Sequence, residues 1–415
     1  MPTQTEKNES LEELGLLAQS AGAVVVDRAT QARAALDPAT LIGAGKVSEI
    51  RELVEAEDID TVIFDHELTP TQLRNLDRRL PAKVLDRTQL ILDIFARRAR
   101  TAEGQLQVEL AQLNYLLPRL SGRGTQMSRL GGGIGTRGPG ETQLETDRRR
   151  IGRRIAKLKA EIERVRATRG VQRSQRQAVP LSTVSLVGYT NAGKSTLFNR
   201  LTGAGVLADA RMFATLDPTV RQVRLPSQRR VLVSDTVGFV RNLPTTLVDA
   251  FRATLEEVTA AALLLHVVDV TSPGAAEQTA HVMKILCEIG AEGTKQILVL
   301  NKSDLLSEAD RLQDLSTITH RLLGEAARQN ETGAVLISAE TGNGMDRLLD
   351  AIDRELQDDS VARQKFRLPL AEGRALHLLH DRAAVISKSY DGDYCEVVAD
   401  APQSLRERLA EFAVE

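Results

Sequence analysis

Tryptophan is absent from this 415-residue chain, which holds only four tyrosines, eight phenylalanines and two cysteines. Cys287 and Cys395 lie far apart and away from any histidine cluster, which excludes a disulfide framework or a structural metal site and fits a reducing, cytoplasmic setting. No stretch approaches about eighteen consecutive apolar residues, so no membrane span is expected. Met1 to Gly15 is polar and acidic, unlike a signal peptide. The formal net charge is only −2. A globally basic nucleic-acid binder is thereby excluded, and any such surface must be local. With 42% apolar and 27% charged residues, the chain reads as globular, with room for roughly two to four domains. A monomer is expected.

What the chain does contain is Gly188-Tyr189-Thr190-Asn191-Ala192-Gly193-Lys194-Ser195, directly after the apolar run Val184 to Val187 and before a helix-like Thr196 to Asn199. The spacing G-x-x-x-x-G-K-S lets consecutive backbone N–H groups surround phosphates. Lys194 adds charge at the β- and γ-phosphates, and Ser195 offers a hydroxyl to Mg²⁺. A glycine-containing turn without a ligand is the bland alternative, and the segments that follow argue against it. The strand-like Arg230 to Ser234 ends in Asp235-Thr236-Val237-Gly238, where Asp235 would hold Mg²⁺ through water and the Gly238 amide would sense the γ-phosphate. Ile297 to Leu300 ends in Asn301-Lys302-Ser303-Asp304. A carboxylate at Asp304 can accept from guanine N1–H and the 2-amino group, which adenine cannot supply, and leaving it buried and unpaired is costly. Val335 to Ile337 leads into Ser338-Ala339, whose amides can meet guanine O6 while Lys302 lies along the base. This ordered set resembles the translation-factor class of P-loop GTPases.

Between the phosphate loop and Asp235 comes Phe213-Ala214-Thr215-Leu216-Asp217, where that class carries its first switch. Thr215 is read as the second Mg²⁺ hydroxyl, with Thr219 as the alternative. Lys194, Thr215 and Gly238 are the expected catalytic groups. The residue after Gly238 is Phe239, where many GTPases place a glutamine that orients the attacking water. A phenyl ring cannot do that, whether or not it also packs in the core. Slow hydrolysis by the protein alone, accelerated by a partner, is the expectation.

Along the chain, residues 1–20 read as a flexible tail. Residues 21–100 read as a small α/β domain, because Ala23 to Val26, Thr61 to Phe64 and Lys83 to Leu85 are short β-branched runs separated by helix-like Lys46 to Glu57 and Thr69 to Leu80. Within it Gly43-Ala44-Gly45-Lys46 opens a helix but lacks the full phosphate-loop spacing. Residues 101–178 read as an antiparallel helical hairpin. Leu106, Leu110, Leu113, Leu117 and Leu120 share one helical face, and Ile151, Ile155, Leu158, Ile162 and Val165 repeat the spacing. The connection carries Gly131-Gly132-Gly133-Ile134-Gly135 and Gly138-Pro139-Gly140, flanked by Arg119, Arg123, Arg129 and Arg137. From Asp147 to Gln177 there are twelve Lys or Arg against three acids, Arg148, Arg149 and Arg150 among them. A basic helix beside an arginine-bearing glycine loop favours polyanion binding over mere solvation. Residues 179–364 read as the doubly wound nucleotide domain, and 365–415 as a small α+β domain with strands at Val385 to Tyr390 and Tyr394 to Val398 and a helix-like Ser404 to Phe412.

Leu41-Ile42-Gly43-Ala44-Gly45-Lys46, Phe64-Asp65-His66-Glu67-Leu68 and the run Gly131 to Arg150, together with the phosphate loop and Phe213 to Asp217, resemble the bacterial HflX family of ribosome-associated GTPases. The resemblance covers the chain beyond its first twenty or so residues, less clearly its last fifty. It implies GTP and GDP binding with Mg²⁺, a hairpin whose glycine loop reaches ribosomal RNA of the large subunit, and splitting of stalled or idle ribosomes under stress. ATP use by the N-terminal domain is a further implication, resting here on Gly43 to Lys46. The competing reading is a nucleotide-sensing scaffold whose hairpin binds a protein partner. No acceptor-substrate signature supports a metabolic kinase.

Overall fold

The computed structural model describes residues 4–33, 35–120, 139–177, 181–203, 212–213, 219–241, 257–306, 315–323, 333–356, 362–369, 373–392, 394–401, 405–406 and 409–414. These fall into two compact units, 1–349 and 350–415.

The chain opens with helix α1, Gln4–Ser20. The expected flexible tail is therefore corrected: Leu14, Leu17 and Ala18, spaced three and four apart, are all buried and form one apolar helical stripe. Next come α2 (Ala44–Ala56), β1 (Thr61–Phe64), α3 (Pro70–Arg79), β2 (Lys83–Asp86) and α4 (Arg87–Arg98). Two local devices fix the starts of α3 and α4. Thr69 and Gln72 form a reciprocal capping box before Pro70, and Asp86 accepts from the Gln89 N–H, each satisfying an orphan first-turn donor. β1 and β2 pair in parallel, Thr61 opposite Lys83. Ala23 to Val26 does not join them, contrary to expectation, because Val24 is 88% and Val26 57% exposed. Val25 is partly buried against the helices instead, and a β-branched run with its other face in solvent gains little from strand pairing.

Helix α5 (Ala102–Leu116) continues through a short 3₁₀ turn, Leu117–Leu120. It packs against the 39-residue helix α6 (Pro139–Gln177). On α6 the five seam positions Ile151, Ile155, Leu158, Ile162 and Val165 are all withdrawn from solvent, with Leu158 and Ile162 buried. Arg154 makes two hydrogen bonds to Glu109 across the pair, at 2.7 and 2.6 Å. Residues 121–138, with Arg123, Arg129, Arg137 and the glycine run, lie outside the described residues.

The large sheet holds β3 (Thr183–Gly188), β4 (Thr219–Arg224), β5 (Arg230–Asp235), β6 (Leu263–Asp269), β7 (Gln296–Asn301) and β8 (Gly333–Leu336) in the order β4-β5-β3-β6-β7-β8. Only β4 runs antiparallel to its neighbour. Helices α7 (Lys194–Thr202), α8 (Ala275–Glu288), α9 (Leu315–Leu323) and α10 (Met345–Glu355) complete the doubly wound pattern. The strands β3, β6 and β7 are buried along almost their whole length, as parallel strands covered on both faces must be.

In the second unit β9 (Ala362–Pro369), β10 (Ala384–Asp391), β11 (Tyr394–Ala401) and β12 (Ala413–Val414) form an antiparallel sheet, order β10-β11-β9-β12, with helix α11 (Gly373–Arg382). The nucleotide domain was expected to extend to residue 364. It ends earlier, because β9 pairs with β11 and β12. Of the expected helix Ser404 to Phe412 the described residues hold only fragments, including a 3₁₀ turn, Ala410–Phe412.

Candidate functional site

Strand β3 runs straight into the loop 188–195, and α7 begins at Lys194. Gly193 caps that helix at φ 92°, and a Cβ there would stand 2.2 Å from the Asn301 Nδ2. Only glycine fits both the backbone and the approach. Lys194 is 6% exposed, and its ammonium donates to the carbonyls of Gly188 (3.0 Å) and Tyr189 (2.7 Å). Burial pulls its pKa down to about 8, and nearby Asp235 partly opposes that. The Ser195 hydroxyl donates to the fully buried Asp235 carboxylate at 2.8 Å. A hydroxyl on the first turn of α7 and a carboxylate at the end of β5 form a hard oxygen donor set of the kind that suits Mg²⁺.

Past Asp235 the chain turns back onto the loop. Thr190 N–H donates to the Phe239 carbonyl (2.8 Å), and Phe239 N–H donates to the Gly188 carbonyl (3.1 Å). A Cβ on Gly238 would lie 2.7 Å from Thr190 Cγ2 and 3.0 Å from Lys194 Nζ. Phe239 itself is 4% exposed and packs with Val187, Leu264 and Val282. Beside it in the sheet His266, paired in register with Val187, is 1% exposed. Burial and the Lys194 charge push its pKa down to about 4.

Asn301 stitches the loops together. Its Nδ2 donates to the Ala192 carbonyl (2.8 Å), and its Oδ1 accepts from the Ala339 N–H (2.9 Å). Lys302, at φ 64°, pairs with Asp269 at 2.6 Å. Ser303 N–H donates to the Ile337 carbonyl, which brings Ser303, Asp304, Ser338 and Ala339 to the same end of the sheet. Ser338 is fully buried.

What covers the segments around Phe213 and Gly238 was not legible in the residue pattern. Met212, Phe213, Val237 and Val240 share one apolar cluster with Leu14 and Leu17 of α1, Phe95 of α4 and Val108 of α5. Phe213, expected beside the nucleotide, is instead 3% exposed and meets the Phe95 ring edge-on at 4.6 Å. Its apolar ring is better buried among helices than beside phosphates. Ala214, Thr215, Leu216 and Asp217 lie outside the described residues, and Thr219 opens β4 opposite Asp235. Beside this cluster the Tyr189 hydroxyl donates to Glu13 (2.8 Å) and accepts from the Arg241 N–H (2.6 Å). Arg87, 2% exposed, bridges Glu13 and Asp65, each at 2.7 Å. The Arg241 guanidinium reaches Glu9 (2.8 Å) and Glu277 (2.6 Å).

Arg119, expected to face RNA, is turned inward. Its side chain is 9% exposed, stacks 3.5 Å over the Tyr115 ring and donates to the Leu68 carbonyl, beside the buried Asp86, a carboxylate that is costly to leave without a countercharge. Arg148, Arg149 and Arg150 are exposed, with Arg149 paired to Glu145. At Gly43 the N–H already donates to Gln31 (2.8 Å), and Lys46 pairs with Glu49, so a phosphate there has to displace both. Among the described residues no helix is long and apolar enough to cross a membrane.

A doubly wound sheet whose central strand feeds a G-x-x-x-x-G-K-S loop, tied by an asparagine to the loop after β8, is that of a P-loop GTPase. Family profiles agree with that class: "GTP-binding GTPase N-terminal" matches residues 8–96 and "GTP-binding GTPase Middle Region" residues 98–176. "50S ribosome-binding GTPase" matches 183–302 and "Elongation factor Tu GTP binding domain" 248–358. The GTPase HflX of Caldanaerobacter subterraneus subsp. tengcongensis is 47% identical over 99% of this chain and 91% of its own. That of Escherichia coli is 46% identical over 90% of this chain and 84% of its own. A GTP-binding protein from Sulfolobus solfataricus, solved with GDP, is 27% identical over 84% of this chain and 95% of its own, with a TM-score of 0.46. The chain belongs to the HflX family of GTPases. It binds guanine nucleotides and hydrolyses GTP.

Proposed function

We propose that this GTPase is a switch acting on the large ribosomal subunit and its RNA, and that its output is the splitting of stalled or idle ribosomes under stress. Residues 188–195 hold the phosphates through backbone N–H groups and Lys194. Asn301, Lys302, Ser303, Asp304, Ser338 and Ala339 take the guanine base. Ser195 and Thr215 directly, and Asp235 through water, hold Mg²⁺, which neutralises charge on the β- and γ-phosphates when bound.

One observation carries the reading: Gly238 is packed against both Thr190 and Lys194, while Val237 and Val240 are buried among the N-terminal helices. A γ-phosphate drawn to Lys194 competes for the space that Gly238 fills. Moving Gly238 drags Val237 and Val240 out of their apolar cluster and loosens α1 and α4 from the nucleotide domain. GDP has no γ-phosphate, so the two nucleotides differ in free energy at this contact, as a switch requires. The loosened N-terminal domain and hairpin then engage ribosomal RNA through Arg148, Arg149, Arg150 and the arginines of residues 121–138. With Phe239 in the core, hydrolysis by the free enzyme is slow and the ribosome accelerates it.

Co-sedimentation of the full chain with large ribosomal subunits tests this. Binding is expected with a non-hydrolysable GTP analogue, weaker binding with GDP, and loss on charge reversal at Arg148, Arg149 and Arg150. Indifference to the nucleotide excludes the switch. Binding that survives charge reversal points instead to a protein contact for the hairpin.

A further inference from the structure

Phe239 leaves the reaction without the amide that many GTPases use to orient water, and the structure puts two polar side chains, Thr190 and Lys194, against the same spot. The position that a Cβ of Gly238 would take is 2.7 Å from Thr190 Cγ2, 2.9 Å from Thr190 Cα and 3.0 Å from Lys194 Nζ. Thr190 is therefore one of the two side chains that border the glycine whose amide meets the γ-phosphate. Its backbone is fixed by the hydrogen bond to the Phe239 carbonyl. Its residue is 7% exposed, and its hydroxyl is buried with no hydrogen-bond partner among the described residues. A buried hydroxyl left in that condition is unfavourable, and a hydrogen-bond partner arriving with the nucleotide relieves it. The methyl now faces Gly238, and one rotamer step about Cα–Cβ exchanges it for the hydroxyl. Neighbouring groups do not compete. Asn191 is exposed, the Lys194 ammonium donates to the Gly188 and Tyr189 carbonyls, and His266 sits level with Val187, within the sheet.

We infer that the Thr190 hydroxyl orients the attacking water in GTP hydrolysis, a role that rests on the phosphate-loop reading above. When Gly238 yields to the γ-phosphate, Thr190 Oγ accepts a hydrogen bond from the water and directs its own hydrogen to a γ-phosphate oxygen. The water oxygen bonds to the γ-phosphorus as the bond from phosphorus to the β–γ bridging oxygen breaks. That electron pair leaves on GDP, and the water's protons pass to the released phosphate and to solvent. Thr190 stays neutral throughout.

Thr190→Val keeps the shape and removes the hydroxyl, and Thr190→Ser restores it. Single-turnover GTP hydrolysis by the full chain, with and without large ribosomal subunits, is measured beside affinity for a fluorescent GTP. The valine variant should bind GTP like the parent and hydrolyse it on the order of 10²-fold more slowly, and the serine variant should recover most of the rate. A valine variant that turns over at the parent rate overturns the inference, as does one whose rate falls only because affinity falls or a serine variant as slow as valine. A parent protein that binds neither GTP nor GDP would sink the phosphate-loop reading itself, which is a separate outcome.

Discussion

His266 sits in the middle of β6, 1% exposed, and its ring has no hydrogen-bond partner for Nδ1 among the described residues. Burial first, and the Lys194 charge second, hold its pKa at about 4 against an ordinary 6.5. Above pH 6.5 the ring is neutral both folded and unfolded and costs nothing. Between 6.5 and 4 the unfolded chain takes up a proton that the folded one refuses, so stability falls as pH falls through that window. The loss approaches about 3 kcal/mol. His266→Gln keeps a neutral polar group that cannot titrate. Denaturation midpoints near pH 7 and pH 4.5 should therefore separate more in the parent than in this variant, and equal separations would contradict the assignment. Residue by residue, the phosphate loop, Asp235 and Asn301 were legible because their types and spacing encode chemistry directly. Thr190 was legible only as one letter of a motif, since the emptiness of its hydroxyl is a property of packing.

At the scale of elements, α1 is held to the N-terminal α/β domain by charges and to both that domain and the nucleotide domain by an apolar stripe. Arg87 lies between Glu13 and Asp65, and Tyr189 adds one hydrogen bond to Glu13. Removing Arg87 strands two carboxylates, one of them nearly buried, which costs about 3–5 kcal/mol. Tyr189→Phe leaves Glu13 still paired and loses two hydrogen bonds, one to Glu13 and one from the Arg241 N–H, of which the one to the charged group is worth about 1.5–3 kcal/mol. Limited proteolysis of α1 should accordingly be fastest in Arg87→Met, intermediate in Tyr189→Phe and slowest in the parent. Unchanged α1 protection in Arg87→Met would show that the charges do not hold this helix. The helix escaped the sequence for a related reason. Its glutamates look solvated locally, yet Glu13 meets Arg87 74 positions away and Glu9 meets Arg241 232 positions away. The strands β3, β6 and β7, and the seam of α6, were plain because burial on a fixed face writes a local period. Ala23 to Val26 misled because β-branched composition reports suitability for a sheet and not the presence of a neighbouring strand.

On the scale of the whole molecule, basic charge is concentrated on α6 in a chain whose net charge is only −2, so the partner surface is local. Ribosome association should fall steeply with salt, since each neutralised phosphate releases counterions. Arg119 is the exception to that surface, drawn inward beside Asp86 and Tyr115. The second unit was legible as α+β, but its first strand was not. Ala362–Pro369 pairs on both sides, and its alternation of Arg and Lys with Phe366 and Leu368 is too short to stand out beside the nucleotide domain. The central claim is that a γ-phosphate releases the N-terminal helices from the switch segments. Amide hydrogen exchange of the full chain tests it most directly. Amides of α1 and α4 should exchange faster with a non-hydrolysable GTP analogue than with GDP, and equal or slower exchange with the analogue would contradict the account.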